Sequence, residues 1–257
     1  MSPKLVRNSL VYAILMLLCS GVPFASAEMQ KVYGKAHNLN GELEYVEEHV
    51  IQYDNSKIVA IDTTYYDAES RKIARQSSEF SHGAQFGGYD FTDERHHYND
   101  GARVTSDRIL IYKKENPSAD MEKKYLLKKP DQIVGQGFYQ FVAANLDDLA
   151  QGRIISAKLV LPAQMDQYDV RISKKQIQDK RILLKVELDN WFLRLFSPTI
   201  QFEYDLETRQ VLWYRGVAMV SNKDRQNVEV VTTYSYPQKP YLLGSGAKRA
   251  VNSSKRN

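Results

Sequence analysis

The sequence predicts a mainly β protein in which antiparallel strands form a sheet and one helix packs against it. Two observations carry this prediction. Between residues 31 and 237, apolar residues alternate with polar ones over many short runs, which is typical of strands with one buried and one solvated face. One segment, residues 129–153, breaks this alternation and places its apolar residues at helical spacing instead.

The alternation is clearest in stretches where every second residue is apolar or β-branched. These positions are Leu43 and Tyr45, Ile51 and Tyr53, Leu159 and Leu161, Tyr168, Val170 and Ile172, Ile200, Phe202 and Tyr204, and Val228, Val230 and Thr232. The chain also contains 17 tyrosines, and tyrosine fits a pleated, half-buried surface well. Antiparallel strands are therefore the expected structure for most of the chain.

One helix is predicted near residues 137–151, and its apolar stripe consists of Phe138, Phe141, Val142, Leu146 and Leu149. Gly152, directly after the stripe, suits a left-handed C-terminal cap. A helix of this length is marginal in water by itself, so its apolar stripe must lie on the sheet. Core packing is the ordinary interpretation of such a stripe, and covering an apolar cavity is the alternative.

Two distant segments carry nearly the same phrase, TTYYDAESRKIARQS at residues 63–77 and QFEYDLETRQVLWYR at residues 201–215. Each lies between strand-like runs, and an aspartate hydrogen-bonds readily to the backbone that follows it. We therefore predict hairpin turns centred on residues 67–71 and 205–209, with the Glu and Arg of each phrase facing water. A catalytic role would need carboxylates that converge on a pocket, which neighbouring turn residues do not favour.

The two ends of the chain are predicted to lie outside the folded domain. Residues 1–27 have a basic start with Lys4 and Arg7, an apolar run and an Ala-Ser-Ala exit, which indicates a cleavable signal peptide and export to the periplasm. Residues 28–243 then form one β-rich domain. Residues 244–257 carry four basic residues among Gly, Ser and Asn, and we interpret them as a disordered basic tail.

Charge and cysteine content exclude several classes of function. The chain has 35 basic and 31 acidic residues, and loss of Lys4 and Arg7 with the signal leaves 33 − 31, or +2, which predicts no nucleic-acid partner. Cys19 is the only cysteine and lies in the predicted signal, so disulfides, thiolate metal sites and a cysteine nucleophile are excluded for the mature chain. After signal cleavage, no stable membrane span is expected.

The densest set of potential catalytic side chains lies in residues 80–104. It contains His82, Asp90, Asp93, Glu94, His96, His97 and Asp100. Adjacent histidines on a strand point to opposite faces, and neither H-x-x-x-H nor H-x-H occurs, so we predict no metal site and no cofactor there. A periplasmic hydrolase that uses the 82–100 stretch is the alternative function.

A second notable segment is DNWFLRLFSPTI, residues 189–200, which is very apolar for an exported protein. It is interpreted as a buried strand or cavity wall, and as an exposed patch it would be a binding surface. With the aromatic pair on the following hairpin and the helix face, it gives the predicted ligand-binding residues: Phe138, Phe141, Val142, Trp191, Phe192, Trp213 and Tyr214. No catalytic and no metal-binding residue is predicted.

The C-terminal half resembles a group of uncharacterised secreted proteobacterial β-sheet proteins that share a Y-D-x-x-T-R-x-[L/V]-L-x-Y-x-G hairpin followed by Ser-Asn. The matching residues are Tyr204, Asp205, Thr208, Arg209, Val211, Leu212, Tyr214, Gly216, Ser221 and Asn222, together with the helix segment GQGFYQFVAANLDDLAQGR. Such hairpins are distantly similar to those of periplasmic lipoprotein carriers, whose fold holds acyl chains in an apolar concavity. The resemblance implies a strongly curved antiparallel sheet, or half-barrel, with the helix on its concave face.

The function predicted from these observations is binding of an apolar or lipid-like ligand, or an accessory role in the cell envelope. A curved sheet with an aromatic helix on it creates the kind of concave apolar site in which ligands bind. The expected partners are a lipid or other apolar ligand and an envelope protein. We expect the protein not to be an enzyme.

Overall fold

The computed structural model describes residues 28–190, 200–237 and 241–242. The predicted signal peptide, residues 1–27, and the predicted basic tail, residues 244–257, lie outside the described residues. The first half of the chain folds into eight strands: β1 (Glu28–Asn38), β2 (Leu43–Asp54), β3 (Lys57–Tyr66), β4 (Lys72–Glu79), β5 (Gly88–Asp93), β6 (Tyr98–Val104), β7 (Arg108–Lys114) and β8 (Glu122–Leu127).

The second half begins with a short strand and two helices and continues with further strands. These elements are β9 (Gln132–Val134), α1 (Gly137–Ala144), α2 (Leu146–Ala150), β10 (Ile155–Leu161), a 3₁₀ turn (Pro162–Gln164), β11 (Asp166–Gln178), β12 (Arg181–Leu188), β13 (Ile200–Asp205), β14 (Val211–Val217), β15 (Glu229–Ser235) and β16 (Tyr241–Leu242).

The strands form one large, curved and unclosed sheet, as the fold prediction requires. Its order is β8-β7-β6-β5-β4-β3-β2-β1-β15-β14-β13-β12-β11-β10-β9, and β16 pairs with β1 beside this path. Each half of the chain is thus a meander of neighbouring hairpins, and the two meanders join where β1 pairs with β15. All of these pairs are antiparallel except β9 with β10, which is parallel because the helices carry the chain across between them.

Both repeated phrases form the predicted hairpin turns. Asp67 Oδ1 accepts hydrogen bonds from the backbone N–H groups of Glu69 and Arg71, at 3.1 and 2.8 Å. Asp205 Oδ1 accepts from the backbone N–H groups of Glu207 and Thr208, at 2.9 and 2.7 Å. The aspartates therefore act as turn residues, as their local chemistry predicts.

The two ends of the sheet meet through side chains. A small second core joins β6 and β7 to β9 and β10, and it consists of Phe86, Ala102, Ile109, Ile111, Val134 and Val160. Lys124 of β8 also reaches Asp166 of β11, with Nζ 2.9 Å from Oδ1. Because apolar surface from both ends is buried here, the sheet is held in its curved form although β8 and β9 stay its two edges.

The helices pack on the concave face of the sheet. The ring of Phe138 lies 5.0 Å from the ring of Phe202 on β13, centroid to centroid, and Leu146 and Leu149 of α2 are fully buried. The predicted single helix over 137–151 is two helices, because Asn145 leaves helical geometry at φ −106° and ψ 8°. Its side-chain amide donates to the Phe141 carbonyl at 2.8 Å, a local bond of the kind that competes with helix propagation.

Neither α1 nor any other helix in the described part of the chain has the length and apolar character needed to cross a bilayer.

Candidate ligand-binding site

A cavity of about 260 Å³ lies between α1 and the concave face of the sheet. It extends across the strands from β13 and β14, past β15 and β1, to β2 and β3. The cavity opens to solvent at both ends: Ile51, Tyr53 and Ile58 at the β2–β3 end are only partly buried, and Thr208 and Arg209 at the β13–β14 end are exposed. The volume is well above the roughly 150 Å³ of an engineered cavity that takes up benzene.

The wall of the cavity is mainly apolar and aromatic. Its apolar residues are Val32, Ile51, Ile58, Ile61, Ala143 and Val211, and its tyrosines are Tyr53, Tyr139, Tyr204, Tyr234 and Tyr236. Its other polar residues are Gln30, His49, Gln136, Gln140, Thr208, Arg209 and Gln210. An apolar wall with a few polar groups is the usual composition of a small-molecule site.

A series of buried hydrogen bonds ties the start of α1 to the sheet beneath it. Gln136, the residue before α1, donates from Nε2 to Thr63 Oγ1 at 2.9 Å and accepts at Oε1 from Ser78 Oγ at 2.8 Å. Thr63 Oγ1 lies 2.8 Å from His49 Nδ1, and His49 Nε2 lies 2.8 Å from Glu47 Oε2. The helix is thereby fixed over β2, β3 and β4, at the β2–β3 end of the cavity.

One assignment of protons satisfies every bond in this series. His49 is neutral, with Nε2–H donating to Glu47, and Nδ1 accepts the hydroxyl proton of Thr63. Thr63 Oγ1 is then free to accept from the Gln136 amide. A doubly protonated His49 would leave the Thr63 hydroxyl proton without an acceptor in this series, so the neutral tautomer fits best.

The order Thr63, His49, Glu47 is also the order of a nucleophile, a base and an orienting acid. Thr63 is only 1% exposed and does not line the cavity, and its oxygen is already hydrogen-bonded to His49 and Gln136. A substrate in the cavity therefore has no path to this hydroxyl. The series acts as a structural support for α1.

Tyrosines surround the Glu47 carboxylate in the interior. Burial, followed by the charge of Glu47, raises the pKa of the phenols of Tyr45, Tyr65 and Tyr234 well above the ordinary value for tyrosine. Each of these phenols therefore keeps its proton at neutral pH and can only act as a neutral donor or acceptor. The floor of the concave face is consequently polar but carries little exposed charge.

The mouth of the cavity at the β13–β14 end is formed by the second repeated turn. Arg209 donates from Nη1 to the Ala143 carbonyl and from Nη2 to Asp147 Oδ2, both at 2.7 Å. The prediction that the Glu and Arg of this turn simply face water is therefore wrong for Arg209. Its guanidinium bridges the turn to the C-terminal end of α1 and the start of α2.

The predicted ligand-binding residues are only partly brought together. Phe138, Val142 and Tyr214 are buried in the main core, Phe141 packs partly buried against it, and Trp213 lies half-buried on β14. None of these five lines the cavity, and Trp191 and Phe192 lie outside the described residues. The role of these seven residues in binding stays a prediction, and the cavity itself is lined by neighbours of the five.

The side chains of the 82–100 stretch do not share a site. His82 and His97 are exposed, and His96 Nε2 lies 3.1 Å from the carbonyl oxygen of Asn222. Asp93 pairs with Arg95 at 2.9 Å, and Glu94 pairs with Lys72 at 2.7 Å. Within the described ranges, no three His, Cys, Asp or Glu side chains group so that they could hold a metal ion. The hydrolase alternative stays a prediction without a geometric site.

Comparison with known proteins adds no family to this description: neither the protein-family models nor the curated proteins include a match to this chain. The fold and the cavity together define the structural class of the protein. The protein is a curved, unclosed sheet with helices on its concave face and a small cavity between them.

Proposed function

We propose that this protein binds a small apolar or lipid-like ligand in the cavity between α1 and the sheet. The observation that carries the proposal is the cavity itself. It has a volume of about 260 Å³ and an apolar, tyrosine-rich wall, and it lies under a helix that is fixed to the sheet. On the basis of the predicted signal peptide, the proposal includes a periplasmic location, where the protein would act as a ligand-binding or accessory protein of the cell envelope.

The size of the cavity limits the enclosed part of the ligand to a short chain or a small ring system. One water occupies about 30 Å³ of liquid, so 260 Å³ corresponds to about nine waters, or a chain of about eight heavy atoms. The open end beside Tyr53 and Ile58 lets a longer chain extend into solvent. A ligand with an aliphatic part of about eight carbons is therefore a suitable probe.

The proposal is tested by filling the cavity from the helix. Ala143 lines the cavity, whereas Ala144, the next residue of α1, is exposed and does not line it. We expect calorimetry to show saturable binding of octan-1-ol to the wild type. Because Phe occupies the space of the ligand, Ala143→Phe should weaken this binding at least tenfold, and Ala144→Phe should leave it unchanged.

Equal binding by the wild type and by Ala143→Phe would contradict the proposal, and so would the absence of binding to the wild type. If binding is found as expected, mass spectrometry of organic extracts from protein purified from its native compartment would identify the natural ligand. An extract with no co-purifying apolar compound, together with no binding of the alcohol, would favour the alternative of a purely structural envelope protein.

A further inference from the structure

Two hydrogen-bond donors on the cavity wall have no partner among the described residues: the hydroxyl of Tyr204 and the side-chain amide Nε2 of Gln140. Tyr204 is only 1% exposed. Buried polar groups in folded proteins nearly always have a hydrogen-bond partner, since an unpaired one destabilises the protein. Two unpaired donors among the residues that line one cavity point to an acceptor supplied from outside the chain.

Both groups are donors at neutral pH. Burial, and then the neighbouring Tyr139 and Tyr236, raise the pKa of the Tyr204 phenol well above its ordinary value, so the phenol stays protonated at neutral pH. An amide Nε2 carries two N–H donors and accepts nothing. The Tyr204 oxygen can also accept a hydrogen bond, but the Gln140 Nε2 cannot, so a ligand acceptor pairs with both groups whereas an ammonium pairs with the Tyr204 oxygen alone.

Arg209, whose guanidinium is paired with Asp147, lies at the same end of the cavity and supplies further N–H donors there. It lines the cavity and donates to the carbonyl of Ala143, which lies one helical turn beyond Gln140. Tyr204 is close to Arg209 in the chain, at the end of β13 before the turn that carries the arginine. The three donors thus lie around the β13–β14 end, and the opposite end is lined by Ile51, Ile58 and Ile61.

We propose that the ligand is an aliphatic carboxylate. This inference rests on the proposed function and names the class of ligand that the cavity binds. The carboxylate accepts hydrogen bonds from Tyr204 and Gln140 and lies beside Arg209, and the chain extends toward Ile51, Ile58 and Ile61. Charged acceptors form stronger hydrogen bonds than neutral ones. The reverse orientation is disfavoured, because His49 and Gln136 at the other end are already hydrogen-bonded and the carboxylate of Glu47 lies behind His49.

The proposal is tested with three probes of equal chain length: octanoate, octan-1-ol and octylammonium. By calorimetry at neutral pH, wild-type protein should bind octanoate most tightly and octylammonium least tightly. Tyr204→Phe removes one bond to the charged acceptor, so its affinity for octanoate should fall about tenfold or more, while its affinity for octan-1-ol changes less. Gln140→Met should act in the same direction.

The folding of Tyr204→Phe is not at risk, because the variant loses a buried hydroxyl that has no partner. Its melting temperature without ligand should equal or exceed that of the wild type. Tyr45→Phe is the matched control: Tyr45 is also a buried tyrosine, but it lies outside the cavity and its hydroxyl accepts from the Met219 N–H at 3.0 Å. That variant should lose thermal stability and keep the wild-type affinity for octanoate.

The outcomes separate this inference from the proposed function. Binding of octan-1-ol without preference for octanoate, or with unchanged octanoate affinity in Tyr204→Phe, overturns the carboxylate inference and leaves the cavity as an apolar site. Tighter binding of octylammonium than of octanoate also overturns it. Absence of binding for all three probes overturns both the inference and the proposed function.

Discussion

The two halves of the concave face bury different kinds of side chain. In the N-terminal half, strands β2 to β6 carry buried polar residues, namely Glu47, His49, Thr63, Ser78, Asp93 and Asp100. In the C-terminal half, the buried side chains in the described residues of β10 to β14 are aliphatic or aromatic, and tyrosine hydroxyls are their only polar atoms. The helices pack tightly on the apolar half and leave a cavity where the polar half begins.

This difference shows how one helix can both complete a core and cover a site. On the apolar half, Phe138 contacts Phe202, and α2 buries Leu146 and Leu149, so packing supplies the stability. On the polar half, Gln136 is fixed by hydrogen bonds to Thr63 and Ser78, which hold the helix above the sheet. A cavity can stay open there because directional bonds, rather than close apolar contact, set the helix position.

The largest effect on stability is expected from a substitution that removes packing in the apolar half. Phe138→Ala removes a buried ring packed against Phe202, so the free energy of unfolding should fall by about 3–5 kcal/mol. Chemical denaturation measures this loss. Phe141→Ala is the comparison on the same helix: its ring is only partly buried, so the loss should be smaller. Equal losses for the two variants would contradict the assignment of faces.

An intermediate effect on stability, which depends on pH, is expected from a buried carboxyl group in the polar half. Burial raises the pKa of Asp100 to about 6, against an ordinary value of 3.8, although Tyr98 donates to its Oδ2 at 2.9 Å. Between these two values the folded state binds more protons than the unfolded state, so stability should fall as the pH rises from about 4 to about 6. The loss is complete above that window and amounts to about 3 kcal/mol, from a pKa difference of about two units.

Asp100→Asn should remove this dependence, because the amide does not ionise. Denaturation curves at pH 4 and pH 7 should show the variant to be about 2–3 kcal/mol more stable than the wild type at pH 7, and close to it at pH 4. Asp107→Asn is a suitable control, since Asp107 is exposed beside Arg108 and its carboxylate is solvated. The prediction fails if Asp100→Asn loses stability at pH 7 relative to pH 4 as steeply as the wild type does.

Much of the fold could be predicted from the sequence because local chemistry decides it. Period-two alternation depends only on the pleat of a strand, and the aspartates at 67 and 205 set their turns through bonds to the next few residues. The break between α1 and α2 was missed, because Asn145 lies within a continuous apolar stripe and acts through a side-chain bond to Phe141. The meeting of the sheet ends depends on contacts between distant strands, which periodicity does not reveal.

The site was harder to predict, although the sequence held a signal. Glu47 and His49 lie in the same alternate phase as Tyr45, Ile51 and Tyr53, so two polar residues face the interior of an otherwise apolar strand face. Polar residues in an apolar phase are usually paired with one another when buried. Large size and aromatic character, on which the predicted ligand-binding residues rest, mark the packed half of the concave face.

Gln136 and Gln140 gave a second signal of the same kind. They are four residues apart and so lie on one side of α1, whose other residues are mostly apolar. Two amides on the side of a buried helix need partners, and here one amide binds the sheet while the other lines the cavity without a partner in the described residues. Their spacing could have directed attention to this side of the helix before the structure was known.

The smallest effect is expected from the arginines of the two repeated turns, one in each half of the sheet. Arg71 is exposed, and among the described residues it pairs only with Asp67 and Glu69 of its own turn, so Arg71→Ala should not change the free energy of unfolding measurably. Arg209 instead bonds across to Ala143 and Asp147, so Arg209→Ala should lower it by about 1 kcal/mol. The two arginines follow the same Asp-x-Glu-hydroxyl sequence, and what distinguishes Arg209 is its contact with the helices.

Chemical denaturation of both variants, repeated in 1 M salt, measures the difference in stability. The hydrogen bond to the uncharged Ala143 carbonyl should keep part of this difference at high salt, whereas a purely ionic contact to Asp147 would lose it. Equal stability of the two variants would mean that the second turn does not hold the helix, and that the mouth of the cavity is free to open at this end.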